Sequence, residues 1–124
     1  MTRTLTVTIP GRPPTPNARR HWRGISRDNA HWKESARQIA AVAMPDGWQP
    51  MARCRMSVEF IVPDHRDRDD DNLIAAQKPC LDGIVKAGVI KDDSARVIKE
   101  REYLPQRYAR GVQATVYVFT ELAT

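Results

Sequence analysis

Two cysteines, two phenylalanines and three histidines in 124 residues leave little material for several common chemistries. Cys54 and Cys80 show no CxxC spacing and no paired histidines nearby. A zinc centre and a disulfide framework are therefore not expected, and the two thiols read as small buried apolar residues. His21, His31 and His65 are scattered, which argues against a histidine general base. No run approaches the roughly eighteen consecutive apolar residues of a membrane span. The N-terminal "MTRTLTVTIPGRPP" lacks the apolar core of a signal peptide, so a cytoplasmic protein is expected.

The composition is that of a globular protein, with 41 % hydrophobic and 28 % charged residues. The length fits one small domain over residues 1–124. The net charge of +5 is unevenly spread. Residues 1–40 hold eight cations against two acids, whereas residues 64–93 hold eight aspartates against five cations. A basic half around an acidic centre suits a chain that grips phosphates and also holds a cation.

Periodicity organises the chain. "TLTVTI" (4–9) and "ARCRMSVEFIV" (52–62) alternate apolar and polar residues, as half-buried strands do. In the second, Cys54, Met56, Val58, Phe60 and Val62 share one face. "PGRPPTPNARRHWRG" is too rich in proline and glycine for regular structure and reads as a long basic loop. A helix capped by Ser26 or Asp28 is expected to run to about Met44, with Trp32, Ala36, Ile39, Ala40 and Ala43 on one face. "DNLIAAQKPCLDGIVKAG" has helical spacing and stops at Gly88. Leu73, Ala76, Gln77, Cys80 and Ile84 fall on one side of it, and Asp71, Ala75, Lys78 and Asp82 on the other. Pro79 predicts a kink or a broken first turn. Strands over 95–104 and 112–119, joined by the turn-like "PQRYARG", complete a β-α-β-α-β-β order. The expected class is α/β (α+β): one mixed four-stranded sheet with two packed helices.

The chemistry concentrates in "DHRDRDDDNL" (64–73), at the end of the second strand. Asp69 and Asp71 lie two apart at a strand-to-helix junction, and Asp92 and Asp93 return after the helix. Uncompensated carboxylates repel one another, a cost most easily tolerated when a cation lies between them. Oxygen-only ligands favour Mg²⁺, with Mn²⁺ as a substitute. Such an ion could activate water against a phosphodiester. Lys78, two turns beyond Asp71 on the same face, could stabilise charge on the phosphate or orient the water. An aspartate-rich junction also serves as a plain helix cap, for which Asp71 and Asn72 would suffice.

The series "RDRDDDNLIAAQKPCLDGIVKAGVIKDDSARV", with the upstream "IPGRPPTPNARRHWR", resembles the RusA-type Holliday junction resolvases over nearly the whole chain. The resemblance implies metal ligation by Asp69, Asp71 and Asp93, with Lys78 as the family lysine. Here that lysine stands seven residues after the second aspartate, where many members place it four after. It further implies Asp92 and Asn72 as supporting residues. Arg12, Asn17, Arg19, Arg20, Arg23, Arg27, Arg66 and Arg68 become candidate DNA contacts, with Trp22 a candidate for stacking on an opened base. The expected activity is Mg²⁺-dependent cleavage of four-way DNA junctions by a homodimer. If strands 52–62 and 95–104 are parallel, Asp93 enters far from Asp71, and a two-fold partner would supply it in trans. The alternatives are a fork or flap nuclease, a non-cutting junction binder and a small phosphohydrolase. A cytoplasmic, nucleoid-associated protein of phage or prophage type fits this reading.

Overall fold

Alternation in the sequence becomes alternation in burial. β1 (Thr4–Pro10) buries Leu5, Val7 and Ile9 and exposes its threonines. β2 (Cys54–Val62) buries Cys54, Met56, Val58, Phe60 and Val62, the face its spacing predicts. The computed structural model describes residues 2–14 and 22–123, the side chains of Trp22 and Arg23 excepted.

The elements run β1, α1 (Trp22–Ala43), β2, α2 (Asp70–Ala76), α3 (Lys78–Ala87), β3 (Ile98–Tyr103), β4 (Arg107–Tyr108) and β5 (Ala114–Glu121). The mixed sheet has the order β1-β5-β2-β3, with β4 also on β2. β5 is antiparallel to both β1 and β2, whereas β3 and β4 are parallel to β2. β3 is a sheet edge; Lys99, Glu100, Arg101 and Glu102 are all exposed on it.

The expected α/β class and element order hold, with three differences of detail and a helix break that Pro79 predicts. The sheet has five strands, because "PQRYARG" contains β4. The strand expected over 95–104 is shortened to 98–103, and the last strand is shifted by two residues to 114–121. The first helix starts at Trp22 rather than at a Ser26 or Asp28 cap. Gly24 sits in its opening turn, where amide groups lack helical partners anyway, so the glycine penalty is small there. The second helix is broken in two at Pro79, as the missing amide requires.

Gln77 is the joint of that break. Its amide closes α2 on Leu73, and its carbonyl accepts from Cys80 at 2.8 Å and Leu81 at 3.2 Å to open α3. Its side chain is buried, and Oε1 accepts from the Tyr117 hydroxyl at 2.7 Å. Burial raises the Tyr117 phenol well above its ordinary pKa, so it remains a donor. Tyr117→Phe is expected to strand the glutamine oxygen and cost about 1–3 kcal/mol. A drop in the urea midpoint at unchanged slope is the readout, and an unchanged midpoint would contradict this role.

α1 and α3 pack on each other, and Gly83 is a point of close approach between them. A Cβ built there would stand 2.1 Å from the Lys33 carbonyl oxygen and 3.0 Å from both Ala36 Cβ and Arg37 N. Only hydrogen fits in that gap. Cys54 and Cys80 are buried and free, and burial pushes their thiols up to about 11 and about 12.

Candidate active site at the carboxyl end of strand β2

The chain leaves β2 at Val62 and makes a tight loop before α2. Asp64 Oδ1 accepts from the Arg66 amide at 3.0 Å, an Asx turn. Arg68 folds back into the same loop. Its guanidinium reaches Asp64 Oδ1 at 2.7 Å, the Arg66 carbonyl at 2.9 Å and the Asp64 carbonyl at 3.2 Å. The Arg68 side chain is only 10 % exposed, so it braces the loop rather than facing outward with Arg66. The Arg66 amide, then Arg68, hold the Asp64 carboxyl below the usual range. Burial, then the nearby Arg68 and Arg66 charges, lower the Arg12 guanidinium, and Asp64 opposes them. Arg12 therefore belongs to this corner.

Asp69 is the N-cap of α2: its backbone is extended and its Oδ1 accepts from the Asp71 amide at 2.9 Å. The junction is capped as the alternative reading allowed, but by Asp69 rather than by Asp71 and Asn72. The other oxygen and the Asp71 carboxylate stand on an exposed first turn. Asp70, between them, accepts from Gln106 Nε2 at 2.6 Å. The same amide donates to the Arg68 carbonyl at 3.0 Å. Gln106 therefore clamps the acidic loop to the segment carrying β4. Asn72 lies half-buried in the same turn.

Asp93 lies elsewhere. The chain after α3 runs beside the start of β2, with Met51 bridged in parallel to Ile90. Asp92 caps the next turn through the Ser94 amide at 3.1 Å. Asp93 is ion-paired with Lys78 Nζ and its carbonyl accepts from Arg101. Lys78 also meets Asp82 at 2.8 Å, so one ammonium is held between two carboxylates. The lysine hydrogen bond is the largest influence keeping the Asp93 carboxyl below its ordinary value. Burial pulls the Lys78 ammonium down, and its bonds to Asp82 and Asp93 outweigh that and raise it.

Among the described residues, no three Asp, Glu, His or Cys side chains gather as a metal cage. What one chain offers is two carboxylates, Asp69 and Asp71, at one place, and a Lys78–Asp93 pair at another. Two carboxylates with no nitrogen or sulfur donor fit a hard cation that completes its shell with water and phosphate oxygens. β2 and β3 are parallel, which is the condition on which the sequence reading sets Asp93 apart from Asp71.

Of the expected DNA contacts, Asn17, Arg19 and Arg20 lie outside the described residues, as does His21. Arg27 is exposed on α1, while the side chains of Arg23 and Trp22 are not described. Three residues beside the loop were not anticipated: Arg107, Tyr108 and Arg110, on and next to β4. Arg107 Nε meets Glu59 at 3.0 Å. The Tyr108 ring stacks on His65 with centroids 3.8 Å apart. The basic, aromatic string "RYAR" was the available signal, hidden by its turn-like flanks.

Known proteins match this arrangement in sequence. The family model described as Endodeoxyribonuclease RusA matches residues 10–118. Over 101 residues the chain is 35 % identical to the crossover junction endodeoxyribonuclease RusA of Shigella sonnei (strain Ss046), a match covering 79 % of this chain and 80 % of that one. The protein of the same name from Escherichia coli (strain K12) is 34 % identical over 101 residues, with the same coverage. An uncharacterized protein of Xylella fastidiosa (strain Temecula1 / ATCC 700964) is 32 % identical over 93 residues, 71 % of this chain and 59 % of that protein.

Proposed function

The chain belongs to the RusA endodeoxyribonuclease family, and from that premise we propose that residues 1–124 form one endonuclease unit that resolves four-way DNA junctions by paired phosphodiester cleavage. The observation that carries this reading is the exposed Asp69–Asp71 pair on a braced loop, bordered by arginines. Asp69 and Asp71 would hold Mg²⁺, or Mn²⁺ in its place, together with Asp93 from a second copy. Bound there, such an ion supplies a polarised phosphoryl oxygen and a water of lowered pKa.

The chain's own groups supply position and charge. Arg12 and Arg66 offer cations to backbone phosphates beside the acids, with the N-terminal arginines extending that surface. Lys78 carries a permanent positive charge for the phosphate in flight. Asp92 keeps Asp93 in place through its turn. No described helix is long and apolar enough to cross a membrane, and the proposed setting is the cytoplasm, on chromosomal or phage DNA.

A synthetic four-way junction, a flap and a linear duplex, each incubated with and without Mg²⁺, test this directly. Symmetric nicking of the junction is expected, abolished by chelation and by Asp71→Asn. Stronger cutting of the flap would favour a fork or flap nuclease, the second reading that the same acids allow. Junction binding with no metal-dependent cutting would overturn the enzymatic reading.

A further inference from the structure

Beside the acidic loop lies an aromatic surface that the proposed cleavage chemistry does not use. His65 and Tyr108 stack with centroids 3.8 Å apart and planes 32° from parallel. One residue comes from the loop after β2, the other from β4. Tyr108 keeps 43 % of its surface exposed although His65 covers one face. The residue is thus still nearly half exposed to solvent. A half-bare aromatic ring on a two-residue strand does nothing for the core.

Its surroundings hold several cations and are firmly built, with Arg107 itself paired to Glu59 at 3.0 Å. Arg107 and Arg110 flank Tyr108, while Arg66 follows His65 in the chain. Arg12 lies close enough to feel the charges of Arg66 and Arg68. The Ala109 amide bonds the Val62 carbonyl at 3.0 Å, and the Gly111 amide bonds the Pro63 carbonyl at 3.1 Å. These two bonds pin the segment to the end of β2 and the residue after it. Gln106 then ties it to Asp70 and to the Arg68 carbonyl.

An apolar ring held rigidly among cations that flank it in the chain is the chemistry of a single-strand platform. The base stacks, and the cations meet the phosphates on either side of it. An intact duplex offers phosphates but no free base face. A branch point, where stacking is interrupted, offers both. We propose that the His65–Tyr108 stack receives an unstacked nucleobase at the branch point, beside the acidic loop. This inference rests on the branched-DNA reading above and adds a residue pair that selects branched over linear DNA. Because Gln106 bridges the platform and Asp70, a base seated on Tyr108 fixes the strand relative to Asp69 and Asp71.

The test measures binding without metal ion, by anisotropy, to a four-way junction, a linear duplex of the same arms and a short oligothymidylate. Tyr108→Ala is expected to weaken junction and oligothymidylate binding by roughly 5- to 150-fold, the effect of one lost base stack. Linear duplex binding should stay within about twofold, and Tyr108→Phe should bind like the wild type. In a junction carrying 2-aminopurine at the branch, fluorescence should fall on binding the wild type but not Tyr108→Ala. His65→Ala, which removes the supporting ring, is the second variant, with a smaller loss of the same pattern. Urea midpoints check that each variant folds. Equal losses on junction and duplex, or none on either, would overturn the proposal. If the wild type leaves junctions uncut in Mg²⁺, the nuclease reading fails on its own. Tyr108-dependent oligothymidylate binding would then still report the platform.

Discussion

Mixing Asp69→Asn chains with Asp93→Asn chains is expected to restore nicking of a four-way junction that neither variant cuts alone. On the shared-site proposal, one site of a mixed dimer would combine Asp69 and Asp71 from one chain with Asp93 from the other, both contributions intact. The second site carries both substitutions. One strand is therefore nicked and paired cleavage is not recovered. The structure extends the experiment to the lysine. Lys78 is ion-paired with Asp93 of its own chain and stands seven positions beyond Asp71, on the far side of the break at Gln77. On this geometry Lys78 accompanies Asp93. Lys78→Ala should then complement Asp69→Asn and fail to complement Asp93→Asn. If Lys78 served the carboxylates of its own chain instead, the second mixture would nick. Activity in the two mixtures should differ by the full effect of losing a site residue, on the order of a hundredfold or more. No recovery in any mixture would remove the shared-site reading altogether.

Gly83→Ala is expected to destabilise the fold strongly, although alanine is a better helix former by about 1 kcal/mol. The added methyl would lie 2.1 Å from a backbone carbonyl of α1, an atom that cannot swing aside as a side-chain tip can. The two helices would have to separate by an ångström or more. That would loosen the contacts of Ala36, Ala40, Leu81 and Ile84, all essentially inaccessible to solvent. Overpacking typically costs about 1–3 kcal/mol and occasionally more, and an obstructing backbone atom places this site at or above the upper end. Against a total stability of about 5–15 kcal/mol, that is a large share. Urea unfolding gives the answer, and the sign decides it. A variant as stable as the wild type, or more so, would mean that the helices do not cross this closely.

The fold was readable wherever local pattern and tertiary environment agree. The period of two in β2 gave the correct buried face because one side of that strand faces the core. Pro79 announced the helix break because its missing amide is a covalent fact. The assignment of Leu73, Ala76, Gln77, Cys80 and Ile84 to one face also holds, since all five are buried. β4 was missed because two residues carry no period, and the strand exists only through its pairing with Ile61 and Val62. The start of α1 was missed because Gly24 reads as a breaker, whereas in an opening turn its penalty is small. At the site, the Asp69–Asp71 pair followed from spacing two residues apart. The inward turn of Arg68 did not, because its partners are carbonyls that only the folded loop presents. Nor did the pairing of Lys78 with Asp93, fifteen positions away, since no helical or strand period links them.

The edge strand β3 has one more consequence, for how copies of this chain meet. Glu100 is level with Arg55 and Glu102 with Ser57, on the sheet face away from the core, whereas Arg101 and Tyr103 align with the buried Met56 and Val58. Charge is thus sorted by face. When two such edges pair antiparallel about a two-fold axis, directly opposed residues must share a face. Every register centred on Glu100, Arg101 or Glu102 then sets glutamate against glutamate, and the central one also sets Arg101 against Arg101. Like charges so opposed repel, and unpaired strand edges are commonly protected in this way. The exposed edge is a self-avoiding boundary that disfavours sheet-to-sheet polymerisation. A two-fold partner is thereby directed to some other surface of the molecule.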